Sequence, residues 1–470
     1  METHKEAQSF PICYVLEQQC DIPDIILSLA GMPYLSVLDS ARQMPGSGQY
    51  SFLAADPFGS LCYKGGVLYW NDMPVDEDPW TFFKKQMAQW SLPTEPGQPP
   101  FRGGAMGYVS YEMNDLIPQW NPTSDEDWSV PEMWVHFYDV ILVYDHLARS
   151  CVLYSSGFPE VSENGRRIRA QERLIYFKER LEKNAVIPSL NTMINRDAWV
   201  SNFSEQTYQE AVEMVRKYIV AGDIFQANIS QRFTASLPPS FQALSYYFQL
   251  RSVNPAPFSA FLSYDDIAIA SASPERFVQV RSGQAETRPI KGTRPRDVDP
   301  TTDDRLANDL QNSAKDRAEN IMIVDLLRND FSKVCLPGTV TVPVLCGLES
   351  YANVHHLVSV VRGQLKPGKG SLDIFQACFP GGSITGAPKK RAMEIIREIE
   401  GLPRHIYCGA IGYWGFDGDM DTNIAIRTVL FQGNKASFQS GGGITWLSDP
   451  LQEYRESLVK ADRLFKSFDL

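Results

Sequence analysis

Lys291 sits in the run Glu-Thr-Arg-Pro-Ile-Lys-Gly-Thr-Arg (Glu286 to Arg294), where a strand-like stretch ends in a glycine turn and fixes one amine in place. A lysine in such a setting is either a solvated charge or, once stripped of its proton, a nucleophile. Earlier in the chain Glu275 stands in Ser-Ala-Ser-Pro-Glu-Arg-Phe (Ser271 to Phe277), and a turn at Ser282 and Gly283 would fold the two onto neighbouring strands. A carboxyl group beside an amine is a proton donor beside a nucleophile.

Two further segments offer carboxylates at helical spacing. Glu453, Glu456 and Lys460 fall at i, i+3 and i+7, and Asp316 and Glu319 at i, i+3, so each set shares one helix face. Either face taken alone reads as wet surface; two of them together can surround a hard divalent cation with oxygen ligands, and Mg²⁺ suits that donor set. Anions have candidate sites as well. Pro380 to Lys389 is a glycine-rich loop feeding a helix start, with Ala387 and Pro388 where a nucleotide-binding loop needs Lys and Ser or Thr. Arg427, flanked by apolar residues in Asn423 to Leu430, needs an anionic partner, which a substrate carboxylate or a buried Asp would supply equally well. The triple glycine Gly441, Gly442 and Gly443 follows another strand and bares backbone N–H groups.

Apolar periodicity sketches the elements that position these groups. Strands dominate residues 10 to 155, including Leu61 to Trp70, Gly103 to Tyr111 and Val135 to Tyr144. Residues 160 to 183 turn charged and helical, and Asn184 to Trp199 reads as a linker. Ser204 caps a helix that Gly222 ends. Beyond it, His355 to Arg362, Cys408 to Phe416 and Thr422 to Phe431 read as strands, and Asp303 to Leu327, Lys389 to Glu400 and Leu451 to Phe468 as helices. The class is α+β.

At 470 residues, with 43% hydrophobic and 21% charged residues, the chain has the composition of a globular protein with a large core. A net charge of -12 without a basic stripe argues against nucleic acid, and no apolar run reaches membrane-spanning length. The opening residues lack a signal-peptide pattern, so a cytoplasmic location is expected. The eight cysteines (13, 20, 62, 151, 335, 346, 378, 408) show no metal or disulfide spacing.

Taken together, Ser273-Pro-Glu-Arg-Phe, Arg288-Pro-Ile-Lys-Gly-Thr, Ala314-Lys-Asp-Arg-Ala-Glu-Asn, Val354-His-His-Leu-Val-Ser, Pro380-Gly-Gly-Ser-Ile-Thr-Gly-Ala-Pro-Lys, Ile426-Arg-Thr and Gly441-Gly-Gly-Ile resemble the chorismate-utilising enzymes. The likeness runs from about Ser204 to Lys466, and Phe101-Arg-Gly-Gly-Ala-Met-Gly-Tyr resembles the family's amino-terminal lobe. It implies a lobe over 10–155, a linker with a helix over 156–203 and a catalytic domain over 204–468. It also implies two large, roughly orthogonal antiparallel sheets around the site, with helices outside.

By the same resemblance Glu319 and Glu456 bind Mg²⁺ directly, with Asp316 and Glu453 acting through water. Arg427, Tyr407, Thr385, Gly441 to Gly443 and Lys460 hold the chorismate carboxylates, with His356 near the ring. Glu275 protonates the departing 4-hydroxyl while Lys291 attacks C2, and ammonia then enters at C4 and expels the lysine, a reaction feeding para-aminobenzoate and folate synthesis. The anthranilate-forming branch typically carries alanine in place of Lys291 and is the nearest alternative; isochorismate and salicylate synthases, which use water, and a non-catalytic regulatory subunit are more distant ones. No cysteine has a glutaminase setting, so ammonia is expected from a separate glutamine amidotransferase subunit. Asp39, Ser40, Pro257 and Phe258 correspond to a tryptophan pocket in relatives, with Asp39 replacing a glutamate.

Overall fold

The structure, a computed structural model, describes residues 10–16, 21–44, 47–114, 116–117, 128–182, 193–351 and 354–469. Cys20 and residues 184–192 of the expected linker lie outside the described residues. β-branched and aromatic residues crowd the strand segments, and among the described residues these assemble into two 12-stranded sheets whose neighbours all pair antiparallel.

Four layers result. Between the sheets, Ala260, Leu262, Ile269 and Leu430 of the first pack on Tyr108 and Ile411 of the second. Phe52, Ile141 and Val143 meet Met106, Tyr138 and Tyr413 in a parallel patch. Outside the first sheet, Leu142 and Phe438 pack on the helix residues Phe177, Tyr246 and Phe465. Outside the second, Trp414 and Val278 pack on Phe83, Phe331 and Phe375. The α+β expectation of two antiparallel sheets with helices outside therefore holds.

Both sheets draw strands from both ends of the chain. In the first, Leu35–Asp39 pairs with Phe258–Tyr264; in the second, Gly104–Val109 pairs with Ala410–Gly415. The chain consequently crosses from sheet to sheet several times, and this overturns one expectation. Thr422 to Phe431 is not a single strand: Met420–Asn423 belongs to the second sheet and Thr428–Gln432 to the first, with Arg427 at φ 52° in the crossing. Period-two hydrophobicity continues through the break because both halves are buried, so periodicity alone could not reveal it.

Other boundaries also shift. Leu61 to Trp70 is a hairpin of Gly59–Lys64 and Val67–Trp70, turned by Gly65 and Gly66 at positive φ. Asp303 to Leu327 is two helices, Pro300–Gln311 and Ala314–Val334, the second capped by Ser313, whose hydroxyl accepts from the Asp316 N–H. Ser204 and Gly222 do bound the helix Glu205–Ala221. Gly441 to Gly443 do not follow a strand but lie within Lys435–Ile444, opposite Ser230, Ile229 and Asn228. Among the described residues no helix is long and apolar enough to cross a membrane.

Two crossings in the amino-terminal half are held by one arginine. Arg173, from the helix Glu163–Leu181, bonds both carboxylate oxygens of buried Asp139 at 3.1 Å and reaches the Asp56 carboxylate at 2.6 Å and carbonyl at 2.8 Å. Asp139 lies between Met133–Tyr138 and Val140–Asp145, which belong to different sheets. Removing one partner of a buried pair strands the other charge. Arg173→Ala is therefore expected to cost about 3 kcal/mol, with Arg169 as the residual partner of Asp139 at 3.4 Å. Urea unfolding of the two proteins checks this; an unchanged midpoint would mean the clamp carries no stability.

Candidate active site

Glu275 and Arg427 owe their positions to two neighbouring crossings. Ile267–Ser273 ends in the first sheet and Arg276–Arg281 begins in the second, leaving Pro274 and Glu275 between them. This crossing and the one carrying Arg427 hold each other: the Ile424 N–H donates to the Glu275 carbonyl at 3.0 Å, the Ser273 hydroxyl to the Ile424 carbonyl at 2.6 Å, and the Ala272 N–H to the Arg427 carbonyl at 3.1 Å. Backbone that leaves a sheet must find partners elsewhere, and here each crossing supplies the other.

Lys291 lies on Ile290–Pro295, whose register against Val354–Gln364 slips between Ile290 and Thr293. Gly292, at φ 79°, sits where a Cβ would come within 2.9 Å of the Asp316 side chain, so only glycine lets this strand close on the Ala314–Val334 helix. Lys291 and Glu275 are not on directly paired strands as the turn at Ser282 and Gly283 suggested. They meet through Ser383: the Lys291 Nζ donates to the Ser383 carbonyl at 3.0 Å, and the Ser383 hydroxyl to Glu275 Oε1 at 3.1 Å. Burial pushes the Lys291 ammonium below its ordinary pKa, against the pull of Glu275 and Glu319. Burial likewise raises the Glu275 carboxyl, against Lys291 and the Ser383 hydrogen bond. Both shifts favour an uncharged amine beside a protonated acid.

The four metal candidates come from the helices Ala314–Val334 and Pro450–Lys466. Burial raises Glu319, and Asp316 and Glu453 raise it further; Glu453 is raised by burial and by Glu456. Glu319 Oε1 is buried without a hydrogen-bond partner. Glu456 pairs with Lys460 at 2.8 Å, Glu453 accepts from the Ser448 hydroxyl at 2.6 Å, and Asp316 is taken by Arg294 at 3.0 Å. Among the described residues no three acidic, histidine or cysteine side chains stand as a ready cage. The unpartnered Glu319 oxygen and the purely oxygen donor set nonetheless fit a hard cation such as Mg²⁺.

The residues expected to hold anions are spread over several elements. Burial lowers the Arg427 guanidinium below its ordinary pKa, and the acid that acts on it among the described residues is Glu275. Gly442 faces the helix Pro450–Lys466: a Cβ there would lie 3.2 Å from Glu453 and 3.4 Å from Lys460, whose Nζ donates to the Gly441 carbonyl at 3.1 Å. Thr385 is buried, its hydroxyl given to the Gly381 carbonyl at 2.9 Å. His356 bonds Thr293 through Nδ1 at 2.9 Å, and burial, reinforced by Arg427, lowers its pKa to about 4, so its ring is neutral near pH 7. Tyr407 is buried under Arg404, 5.6 Å from ring centroid to guanidinium.

Two residues of this architecture escaped the sequence reading. Ser383 lay inside the glycine-rich loop, but nothing in its type marked it. Arg404, buried with Glu400 at 2.7 Å, donates to the Ile384 carbonyl at 3.0 Å and the Asn228 carbonyl at 2.7 Å, and so fixes the loop. Its pairing with Glu400 was hidden by Gly401 and Pro403, which end the helix between them.

Asp39, Ser40, Pro257 and Phe258 lie elsewhere, lining a cavity of about 710 Å³ between the sheets together with Arg276, Arg281 and Tyr413. Asp39 is engaged by Arg251 at 2.6 Å, the Tyr247 hydroxyl at 2.9 Å and the Ser51 hydroxyl at 3.0 Å.

Comparison with known proteins places these features in a family. Residues 46–466 match the chorismate binding enzyme family. The chain is 38% identical to aminodeoxychorismate synthase component 1 of Klebsiella aerogenes, over 94% of this chain and 95% of the relative. It is 33% identical to anthranilate synthase component 1 of Bacillus subtilis, over 90% and 85% respectively. The crystal structure of anthranilate synthase component I from Streptococcus pneumoniae superposes with a TM-score of 0.75 at 32% identity, covering 90% of this chain and 92% of that one.

The His356 environment has a measurable consequence. Its folded pKa, about 4, lies below the ordinary 6.5, so between those values the unfolded chain binds more protons. The stability tied to a neutral ring is complete above pH 6.5 and drains away as pH falls toward 4. His356→Gln should flatten that part of the stability–pH curve in urea unfolding; curves that stay parallel would refute the half-buried neutral imidazole.

Proposed function

The chain belongs to the chorismate binding enzyme family and is an enzyme acting on chorismate, and from that premise we propose that it converts chorismate and ammonia to 4-amino-4-deoxychorismate. The observation that carries this reading is the pair Lys291 and Glu275, joined through Ser383 and each biased toward its uncharged form. The relative from Klebsiella aerogenes bears the name of this activity.

The chemistry closes without an outside acid or base. The Lys291 lone pair bonds to C2, the two ring π pairs shift to C1=C6 and C4=C5, and the C4–O bond breaks. Glu275 gives its proton to the departing hydroxyl, which leaves as water. Ammonia then bonds to C4, the π pairs return, and Lys291 leaves C2 as a neutral amine. The extra proton on the new C4 ammonium goes to the Glu275 carboxylate, restoring the acid. One carboxyl group thus serves both halves, which requires it to stand at C4 with the lysine at C2.

Arg427 and Lys460, with the backbone of Gly441 to Gly443, bind the substrate carboxylates, supported by Thr385 and Tyr407; neutral His356 lies by the ring without adding charge. Glu319 and Glu456 would hold Mg²⁺, with Glu453 and Asp316 acting through water. Mg²⁺ supplies charge neutralisation for a ring carboxylate and its fixed orientation. The cavity at Asp39, Ser40, Pro257 and Phe258 suits tryptophan as a structural ligand. Because Asp39 is already paired with Arg251, its carboxylate is not free for the ligand's ammonium group. Ammonia comes from a separate glutamine amidotransferase subunit in the cytoplasm.

Two experiments test the reading. Wild-type protein given chorismate and Mg²⁺ without ammonia is expected to gain a substrate-derived mass by intact mass spectrometry, whereas Lys291→Ala gains none and loses product formation by about 10²-fold or more; equal labelling of both would sink the nucleophile. With chorismate and Mg²⁺, ammonium salts at alkaline pH should support turnover by the chain alone and glutamine should not until an amidotransferase is added. Chromatography with mass detection separates 4-amino-4-deoxychorismate from anthranilate, and anthranilate as sole product would assign the chain to the other branch.

A further inference from the structure

The segment Gly382–Ile384 is a single 3-10 turn enclosed on every side. The Arg404 guanidinium donates to the Ile384 carbonyl at 3.0 Å, the Asn228 N–H donates to the Thr385 carbonyl at 2.8 Å, and the Thr385 hydroxyl closes on the Gly381 carbonyl at 2.9 Å. Gly382 and Gly381 are packed so closely that added Cβ atoms would lie 3.3 Å from Leu326 and 3.2 Å from Ile424. Ser383 is only 6% exposed, and this frame holds its carbonyl in place. Its carbonyl faces Lys291 and its hydroxyl faces Glu275, at 3.0 and 3.1 Å.

We propose that Ser383 is a positioning residue that selects the working atom of each catalytic group: its hydroxyl occupies Glu275 Oε1, leaving the transferable proton on Oε2, while its carbonyl takes one N–H of Lys291 and leaves the amine lone pair free. The proposal rests on the assignment of Lys291 as nucleophile and Glu275 as acid. A carboxyl oxygen that accepts from a hydroxyl is the carbonyl-like one, so the acidic proton is held on the other. Because the carbonyl and the hydroxyl belong to one residue in a rigid turn, the spacing between acid and nucleophile is set by that residue. The role of the carbonyl survives any side-chain substitution, so the hydroxyl is the part that mutation can isolate.

Ser383→Ala, Ser383→Thr and wild-type protein would be compared with chorismate, Mg²⁺ and ammonium salts, after circular dichroism shows that all three fold alike. Ser383→Ala is expected to lower kcat by about 10- to 100-fold with KM for chorismate changed by less than about threefold, and Ser383→Thr to recover most of the loss. The Glu275 anion loses a hydrogen-bond donor in Ser383→Ala, so the alkaline limb of its kcat–pH profile should move to higher pH. Wild-type kcat and an unmoved profile in Ser383→Ala would overturn the proposal, as would equal impairment of the alanine and threonine variants. The time course of the Lys291 adduct separates this from failure of the underlying reading. A slower adduct in Ser383→Ala supports the positioning role, and an adduct at wild-type rate overturns it. An adduct that persists in Lys291→Ala instead overturns the reading on which it rests.

Discussion

Two large sheets built from one chain must be joined by segments that leave one sheet and enter the other, and the site depends on where those crossings fall. At Pro274–Glu275 and Ile424–Arg427 the backbone abandons both ladders, so its N–H and carbonyl groups have to be satisfied by the neighbouring crossing. This produces a place where non-strand geometry, including Arg427 at φ 52°, is held rigidly by the surrounding sheets. A buried acid and a buried cation are thereby brought near enough to act on each other. Without the interleaving of the sheets, neither residue would have a reason to leave regular structure.

Electrostatics in that volume follow from the same enclosure. Low dielectric penalises each charge, yet Lys291, Glu275, Glu319, Glu453, Arg427 and Lys460 lie near enough to influence one another. Lys291 and Glu275 resolve the conflict by shifting toward neutrality, Glu456 and Lys460 by pairing, and Asp316 by turning to Arg294. The inner oxygen of Glu319 has no hydrogen-bond partner among the described residues, and Arg427 is balanced only through space, by Glu275. Under the proposed function, these are the groups that a dianionic substrate and a divalent cation would balance.

Much of this was legible from residue type and spacing. The carboxylates at helical spacing do lie on helices, where Glu453 acts on Glu319, and the capping serine and terminal glycine of Glu205–Ala221 fall where local chemistry demands. What stayed hidden was the sheet to which a strand belongs. Both halves of Thr422 to Phe431 are buried, so hydrophobicity runs on unbroken while the chain changes sheets between them. Arg427 therefore read as a strand residue although it sits in the turn that makes the site. Ser383 was equally opaque, because its function comes from a carbonyl, which every residue has, and from a neighbour supplied by a different segment.

The interleaved topology also bears on how the protein is made. The strand Gly104–Val109 waits for its partner Ala410–Gly415, which leaves the ribosome about 300 residues later, or roughly 15–60 s at ordinary translation rates. Throughout that interval the strand, buried at every residue in the finished protein, offers an open apolar edge to any other nascent chain. Leu35–Asp39 has a similar wait for Phe258–Tyr264. Yield in cells should therefore respond to chaperone supply and elongation speed as strongly as to the stability of the finished fold.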